Sequence, residues 1–331
     1  MKFAHALEPQ PNEKWHLARQ MGIDTAVAIA HPDASYPVWD FVSLARLKKR
    51  YEDAGFDLAV LEGWPTIDAI RRNAPERDAE MEVLKRTIVN MGALEIPILC
   101  YSWMSHFSWM RTSVTTVTRG GALTTSYTHA LTEASPDAKG PLKITEAELW
   151  DSFTRFLHEI VPVAEKAGVK LALHPDDPPL TPIMGVSRIF TTVEAFERAL
   201  SIVESEANGI TFCQGNFAAM NAPIPETIHR LGKSGRMHFV HFRDLQGDAR
   251  NLIETFHDDG KTDMFAAMKA YREIGFSGPM RPDHTPSMHG DANTFPGYEP
   301  RGRLFAIGYM KGLLEGVDAM RAAEQASPGR R

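Results

Sequence analysis

Cysteine is nearly absent. The 331-residue chain has two, Cys100 and Cys213, each closing an apolar run. That excludes a disulfide framework and points to a reduced, cytoplasmic protein. Long apolar runs are lacking as well: the longest are strand-sized and interrupted, so no segment is expected to span a bilayer. The opening stretch, MKFAHALEPQPNEK, has no sustained apolar core, so no secretory signal is expected. A surplus of positive charge is also missing. The formal net charge of −6 excludes a general binder of nucleic-acid backbone, while leaving room for a local basic pocket that takes a small anion. No Gly-rich phosphate turn follows an early strand, since Gly120-Gly121 has neither the spacing nor the preceding strand. Local metal motifs such as CxxC or HExxH do not occur.

What is present is a repeated beat of apolar strands that end in polar chemistry. In VKLALHPDD (169–177) the apolar positions alternate and then stop at His174-Pro175-Asp176-Asp177. The same pattern recurs in GITFCQGNF (209–217), MHFVHFRD (237–244) and GPMRPDH (278–284). Further strands are expected at 24–31, where His31-Pro32 ends the run, at 57–64, at 96–103 and, weakly, at 251–257. Helical periodicity falls at 15–21, 40–54, 75–92, 145–167, 191–204, 224–231, 263–274 and 303–323. Capping boxes Thr145/Glu148 and Thr191/Glu194 open two of these. Eight strands alternating with helices predict an α/β fold, a single (β/α)8 TIM barrel over 1–331, with an open doubly wound sheet as runner-up. Residues 1–14 read as a solvated lead-in and 324–331 as a polar tail. Residues 104–145 have no clear period, and their aromatic start favours a loop covering the C-terminal face.

If the strands close into a barrel, four strand ends bring His174, Cys213, His241 and Asp283 to one place. Imidazole, thiolate and carboxylate together suit a divalent ion of the Mn, Fe, Co or Zn type. Taken alone, a strand-end histidine is more often a hydrogen-bonded structural residue and Cys213 a small apolar filler; the convergence is what makes a site. His238 and His241 point to opposite faces of their strand, and His241, nearer the C-terminal end, is chosen as the inward one. His284 and Tyr298 are candidates for proton transfer. Arg111, Arg188, Arg281 and Arg303 are candidates for clamping a carboxylate. Trp109, Asp176, Glu62 and His257 complete the expected substrate-facing set, with Asp177 as a residue that orients ligands or caps the turn.

Several stretches make the chain resemble the mannonate dehydratase family: APERDAEME, ILCYSWMSHFSWMRT, HPDDPPLTPIMGVSRI, ANGITFCQGNF, GRMHFVHFRD, GFSGPMRPDH and PGYEPRGRL with GYMKGLLE. They run from about residue 74 to 315. The resemblance implies a barrel related to xylose-isomerase-like enzymes. It implies a divalent metal, typically manganese, and dehydration of D-mannonate to 2-keto-3-deoxy-D-gluconate. It places the metal ligands on His174, Cys213, His241 and Asp283 and the acid/base pair on His284 and Tyr298. Departures from the family pattern fall at Phe107-Ser108-Trp109-Met110-Arg111, Cys213-Gln214-Gly215-Asn216 and Leu252-Ile253-Glu254-Thr255, in expected substrate-facing loops. The partner expected is a small sugar acid, with no nucleic acid and no membrane, and the protein is expected to be a homo-oligomer of two or more chains. A dehydratase of another aldonate, a metal-dependent sugar isomerase, a catalytically silent metal barrel and a scaffold protein are the competing readings, because fold alone does not choose among them.

Overall fold

A computed structural model of the chain describes residues 1–29, 39–135 and 144–326. Numbered along the chain, the strands are β1 (Lys2–Leu7), β2 (Thr25–Ile29), β3 (Asp57–Glu62), β4 (Ile98–Ser102), β5 (Ser113–Val117), β6 (Leu123–Thr128), β7 (Lys170–His174), β8 (Asn208–Cys213), β9 (Met237–Phe242), β10 (Leu245–Gly247), β11 (Asn251–Glu254) and β12 (Pro279–Pro282). Eight of them close a parallel barrel in the order β1-β2-β3-β4-β7-β8-β9-β12, with β12 pairing back onto β1. The other four form an antiparallel sheet, β10-β11-β6-β5.

The count of eight expected from the sequence is met by a different eighth strand. Lys2–Leu7, expected as lead-in, is β1 and seals the barrel between β2 and β12. Its run FAHAL has little β-branched or aromatic content, which hid it; Ala4 and Ala6 are small because they point into the barrel. The weak strand expected at 251–257 lies in the second sheet instead. The stretch 104–145, expected as a loop, carries the β5–β6 hairpin and the short helix His129–Glu133. Its β-branched threonines and valines suit strands, but β5 packs one edge only and shows no apolar alternation. Residues 136–143 of that stretch, the His31-Pro32 end of the first expected strand, and 327–331 of the expected tail lie outside the described residues; 324–326 are the last turn of the helix Pro300–Ala326.

The helices follow their sequence signals. Thr145 and Glu148 form a reciprocal capping box that opens Glu146–Ala167, and Gly168 closes it at φ 69°. The next N-cap is Thr192, one residue after the expected Thr191, and its side chain accepts from the Ala195 amide. No described helix is long and apolar enough to cross a membrane.

Inside the barrel the side chains are mostly small: Ala4, Ala6, Val27, Ala59, Cys100 and Ala172 surround Phe239. Phe239 and His241 share the inner face, with ring centroids 4.6 Å apart at 89°. His238 faces outward, as the alternation requires. A Cβ on Gly209 would stand 2.2 Å from its ring, so the strand needs glycine there. Burial pushes His238 down to about 3, so it is neutral in the folded chain. Unfolded, it takes a proton near its ordinary value of about 6.5. Its folded value is therefore the lower one, and stability is lost as pH falls from about 6.5 toward 3, by about 1.4 kcal/mol per pH unit from this residue. His238→Gln is expected to flatten the stability-versus-pH curve between pH 6 and 4 by about one proton, read from denaturant titrations at each pH.

Candidate metal centre and active site

The strand alternation that turns Ala172, Thr211 and Phe239 inward also turns in the residues two further along: His174, Cys213 and His241. Register then sets them side by side. Cys213 pairs with His241 across β8–β9, and Arg281 pairs with His241 across β9–β12. One ligand atom from each of His174, Cys213 and His241 lies within 4.8 Å of the others, and the two imidazole centroids are 4.9 Å apart. His174 donates from Nδ1 to the Pro175 carbonyl at 2.7 Å, which leaves its Nε2 unprotonated. His241 Nε2 is buried without a hydrogen-bond partner. Asp283, just beyond β12, brings Oδ2 to 3.7 Å from both Cys213 Sγ and His241 Nδ1. Of the four residues expected to converge, His174, Cys213 and His241 form one cluster and Asp283 stands beside the latter two.

A buried ion-pair network holds them. Asp283 is bracketed by Arg281 Nη1 at 2.6 Å and Arg243 Nε at 2.8 Å. Arg243 also reaches Glu254 at 2.8 Å, Asp177 at 2.9 Å and the Asn216 side-chain oxygen at 2.9 Å. Arg111 closes a ring by pairing with the same Asp177, at 2.6 Å, and the same Glu254. Arg281 grips Glu62 with Nε at 3.0 Å and Nη2 at 2.6 Å. Burial alone would raise the carboxyl of Glu254, but Arg243 and Arg111 hold it well below the usual range. Burial likewise opposes ionisation of Asp283, and the charged groups around it, the Arg281 and Arg243 guanidiniums among them, hold its carboxyl well below the usual range.

These groups fit a divalent cation. In the connected set three guanidinium groups face four carboxylates, one negative charge in excess. Burial, with Asp283 and Asp177 nearby, pushes the Cys213 thiol up to about 12 against the pull of Arg243. Ionising it would make the excess two, the charge of one such ion. Burial also keeps His174 and His241 below the ordinary imidazole value, so both are neutral ligands at neutral pH.

Beside the cluster stand His284 and Tyr298. His284 places Nδ1 3.0 Å from Glu254 and Nε2 3.8 Å from Asp283. The Tyr298 hydroxyl donates to Asp283 Oδ1 at 3.3 Å, and the two rings are 5.3 Å apart. Trp109, partly exposed, covers His284 at 5.0 Å between centroids, with the Arg111 guanidinium 5.0 Å from its ring.

Other expected substrate residues sit elsewhere or are already engaged. Asp176 turns away from the cluster: it accepts from the Phe190 amide at 2.8 Å and lies 3.8 Å from Arg188, and its neighbour Asp177 joins the network instead. Arg188 donates to the Phe107 and Ser108 carbonyls. His257 is fully buried and donates from Nε2 to the Phe242 carbonyl at 2.6 Å, which makes it a brace for β9. Arg111 spends its charge on two carboxylates, and Arg303 donates to the Ala6 carbonyl at 3.1 Å while stacking 4.4 Å from the Tyr298 ring. The sequence reading passed over Arg243 and Glu254 as functional residues. Both had a signal: Arg243 follows His241 at the inward spacing of two, and Glu254 is a carboxylate on the buried side of the alternating strand β11.

A parallel (β/α)8 barrel that gathers imidazole, thiol and carboxylate donors at its C-terminal strand ends has its site where enzymes of this architecture work. The fold is shared with a solved L-ribulose 3-epimerase structure, at a TM-score of 0.65 over the full length of both chains and 14% identity. The chain belongs to the D-mannonate dehydratase family of hydro-lyases, whose family model matches residues 12–140 and 137–324. It is 36% identical to a mannonate dehydratase of Thermotoga maritima over 86% of this chain and 88% of that one. The crystal structure of mannonate dehydratase from Streptococcus suis superimposes with a TM-score of 0.90 at 33% identity, covering 98% of this chain and 96% of that one.

Arg243→Met removes the cation that Asp177, Glu254 and Asp283 share, and leaves buried negative charge uncompensated. It is expected to destabilise the fold by about 3–5 kcal/mol in denaturant titration. A loss below about 1 kcal/mol would mean that the ring does not depend on it.

Proposed function

We propose that the protein dehydrates D-mannonate to 2-keto-3-deoxy-D-gluconate at this cluster, with a divalent metal, manganese first among the candidates, held by His174, Cys213, His241 and Asp283. Family membership supports the substrate class, and the donor set and charge excess support the cation. The two buried, unpaired cysteines support a cytoplasmic location. The observation that carries the chemical reading is the His284–Glu254 pair at the edge of the metal centre.

Glu254 stays ionised, so it fixes the Nδ1 proton of His284 and leaves Nε2 as a base facing the cluster. His284 Nε2 takes the C2 proton of the aldonate. The electron pair from that C–H bond forms the C2–C3 double bond as the C3–O bond breaks. The Tyr298 hydroxyl, held above the ordinary phenol range by burial and by Asp283, keeps its proton at neutral pH and delivers it to the departing hydroxyl, which leaves as water. The resulting enol tautomerises to the 2-keto acid. When bound, the divalent ion supplies Lewis-acid stabilisation of the negative charge that builds on substrate oxygens. Trp109 shields His284 from bulk water.

His284→Asn is expected to lower kcat on D-mannonate by about 10²–10⁴-fold while metal content stays near one per chain by elemental analysis. Loss of metal together with activity would make His284 a ligand or a structural residue. Chelation is expected to abolish formation of the 2-keto-3-deoxy acid, and added manganese to restore it; full activity in the chelated protein would overturn the metal assignment.

A further inference from the structure

We infer that Glu62 is a specificity-determining residue that accepts a hydrogen bond from a chain hydroxyl of the aldonate at the mouth of the barrel. The inference rests on the reaction proposed above. Glu62 is the last residue of β3 and points inward. Arg281 grips both of its oxygens side-on, which fixes the carboxylate plane; Oε1 also lies 3.5 Å from His241 Nε2, so the second lone pair of Oε2 is the one left for another donor.

Among the four carboxylates of the network it stands apart in access. The side chains of Asp177, Glu254 and Asp283 are 2%, 1% and 3% exposed, each enclosed by guanidinium groups, whereas that of Glu62 is 18% exposed. It is therefore the carboxylate of the set whose side chain is most open to an incoming molecule. A polyhydroxy acid brings hydroxyl protons that need an acceptor, and an acceptor already held in place by Arg281 costs little ordering on binding. The proton-transfer chemistry leaves Glu62 unused. Glu62, Cys100 and His241 also bring ligand atoms within 4.8 Å of one another, so a cation ligand is the alternative role that the test must separate.

The test compares the manganese-loaded wild-type chain with Glu62→Gln and Glu62→Asp on D-mannonate and its 4-, 5- and 6-deoxy analogues. Wild type is expected to discriminate against one of these analogues by about 10- to 100-fold in kcat/KM, the range for a hydrogen bond to a charged group. In Glu62→Gln, D-mannonate is expected to fall to the level of that analogue, mostly through KM. The analogue itself should change little, and manganese content should stay at the wild-type value. Glu62→Asp, which keeps the charge, should lie between them and carries the comparison if the Gln variant does not fold. An equal loss on every substrate overturns the inference in favour of a structural role, and a loss of manganese overturns it in favour of a ligand. Should the wild-type chain fail to turn over D-mannonate, the reaction assignment fails; the Glu62 inference is then read from competition binding of the same deoxy series.

Discussion

Two guanidinium groups bracket one carboxylate at the floor of the site, and the polar architecture of the barrel mouth depends on that bracket. Asp283 sits between Arg281 and Arg243 with almost no access to solvent. A buried carboxylate without such partners would take up a proton and lose its value as a ligand. Each arginine then needs further anions to offset its own burial. Arg281 finds Glu62, and Arg243 finds Asp177 and Glu254, which Arg111 ties together from the far side. The position of His284 follows from the same network: Glu254, ionised because of its arginines, is its hydrogen-bond partner.

The barrel supplies what the network cannot, a fixed frame on which strand ends meet. Small residues inside the ring let the strands approach around Phe239, and Gly209 gives His238 room on the outer face. The N-terminal strand β1 completes the ring. The antiparallel sheet over the mouth has a different task. β11 carries Glu254 inward, the hairpin β5–β6 pairs beside it, and Arg111 precedes that hairpin, so the sheet brings both residues to the network.

Much of this was legible in the chain. The run VKLALHPDD shows a strand and its chemistry together, and the same reading at 209–217, 237–244 and 278–284 names the residues that converge. Choosing His241 over His238 needed only the alternation of a strand and a sense of which end faces the site. Helix starts such as Thr145 were visible because capping is a local hydrogen-bond pattern. The misreadings fell where local signals are weak or shared. An alanine-rich barrel strand does not look like a strand, and a polar hairpin looks like a loop. Asp176 and Asp177 are adjacent and chemically identical, so only their surroundings separate the residue that holds Phe190 from the one that joins the network.

By itself, the sequence determined the alternation of strands and helices, the identity of the donors at the strand ends and the family to which they belong, because periodicity, capping and motif spacing are properties of neighbouring residues. Tertiary structure alone decided which strand closes the ring, which arginines are already committed, and that Glu254 is the partner of His284. Those outcomes rest on pairs such as Arg111 with Glu254, 143 residues apart, and Arg281 with Glu62, 219 apart. Charges that distant in the chain meet only after the barrel has closed, and the strength of their pairing is set by the burial that closure creates.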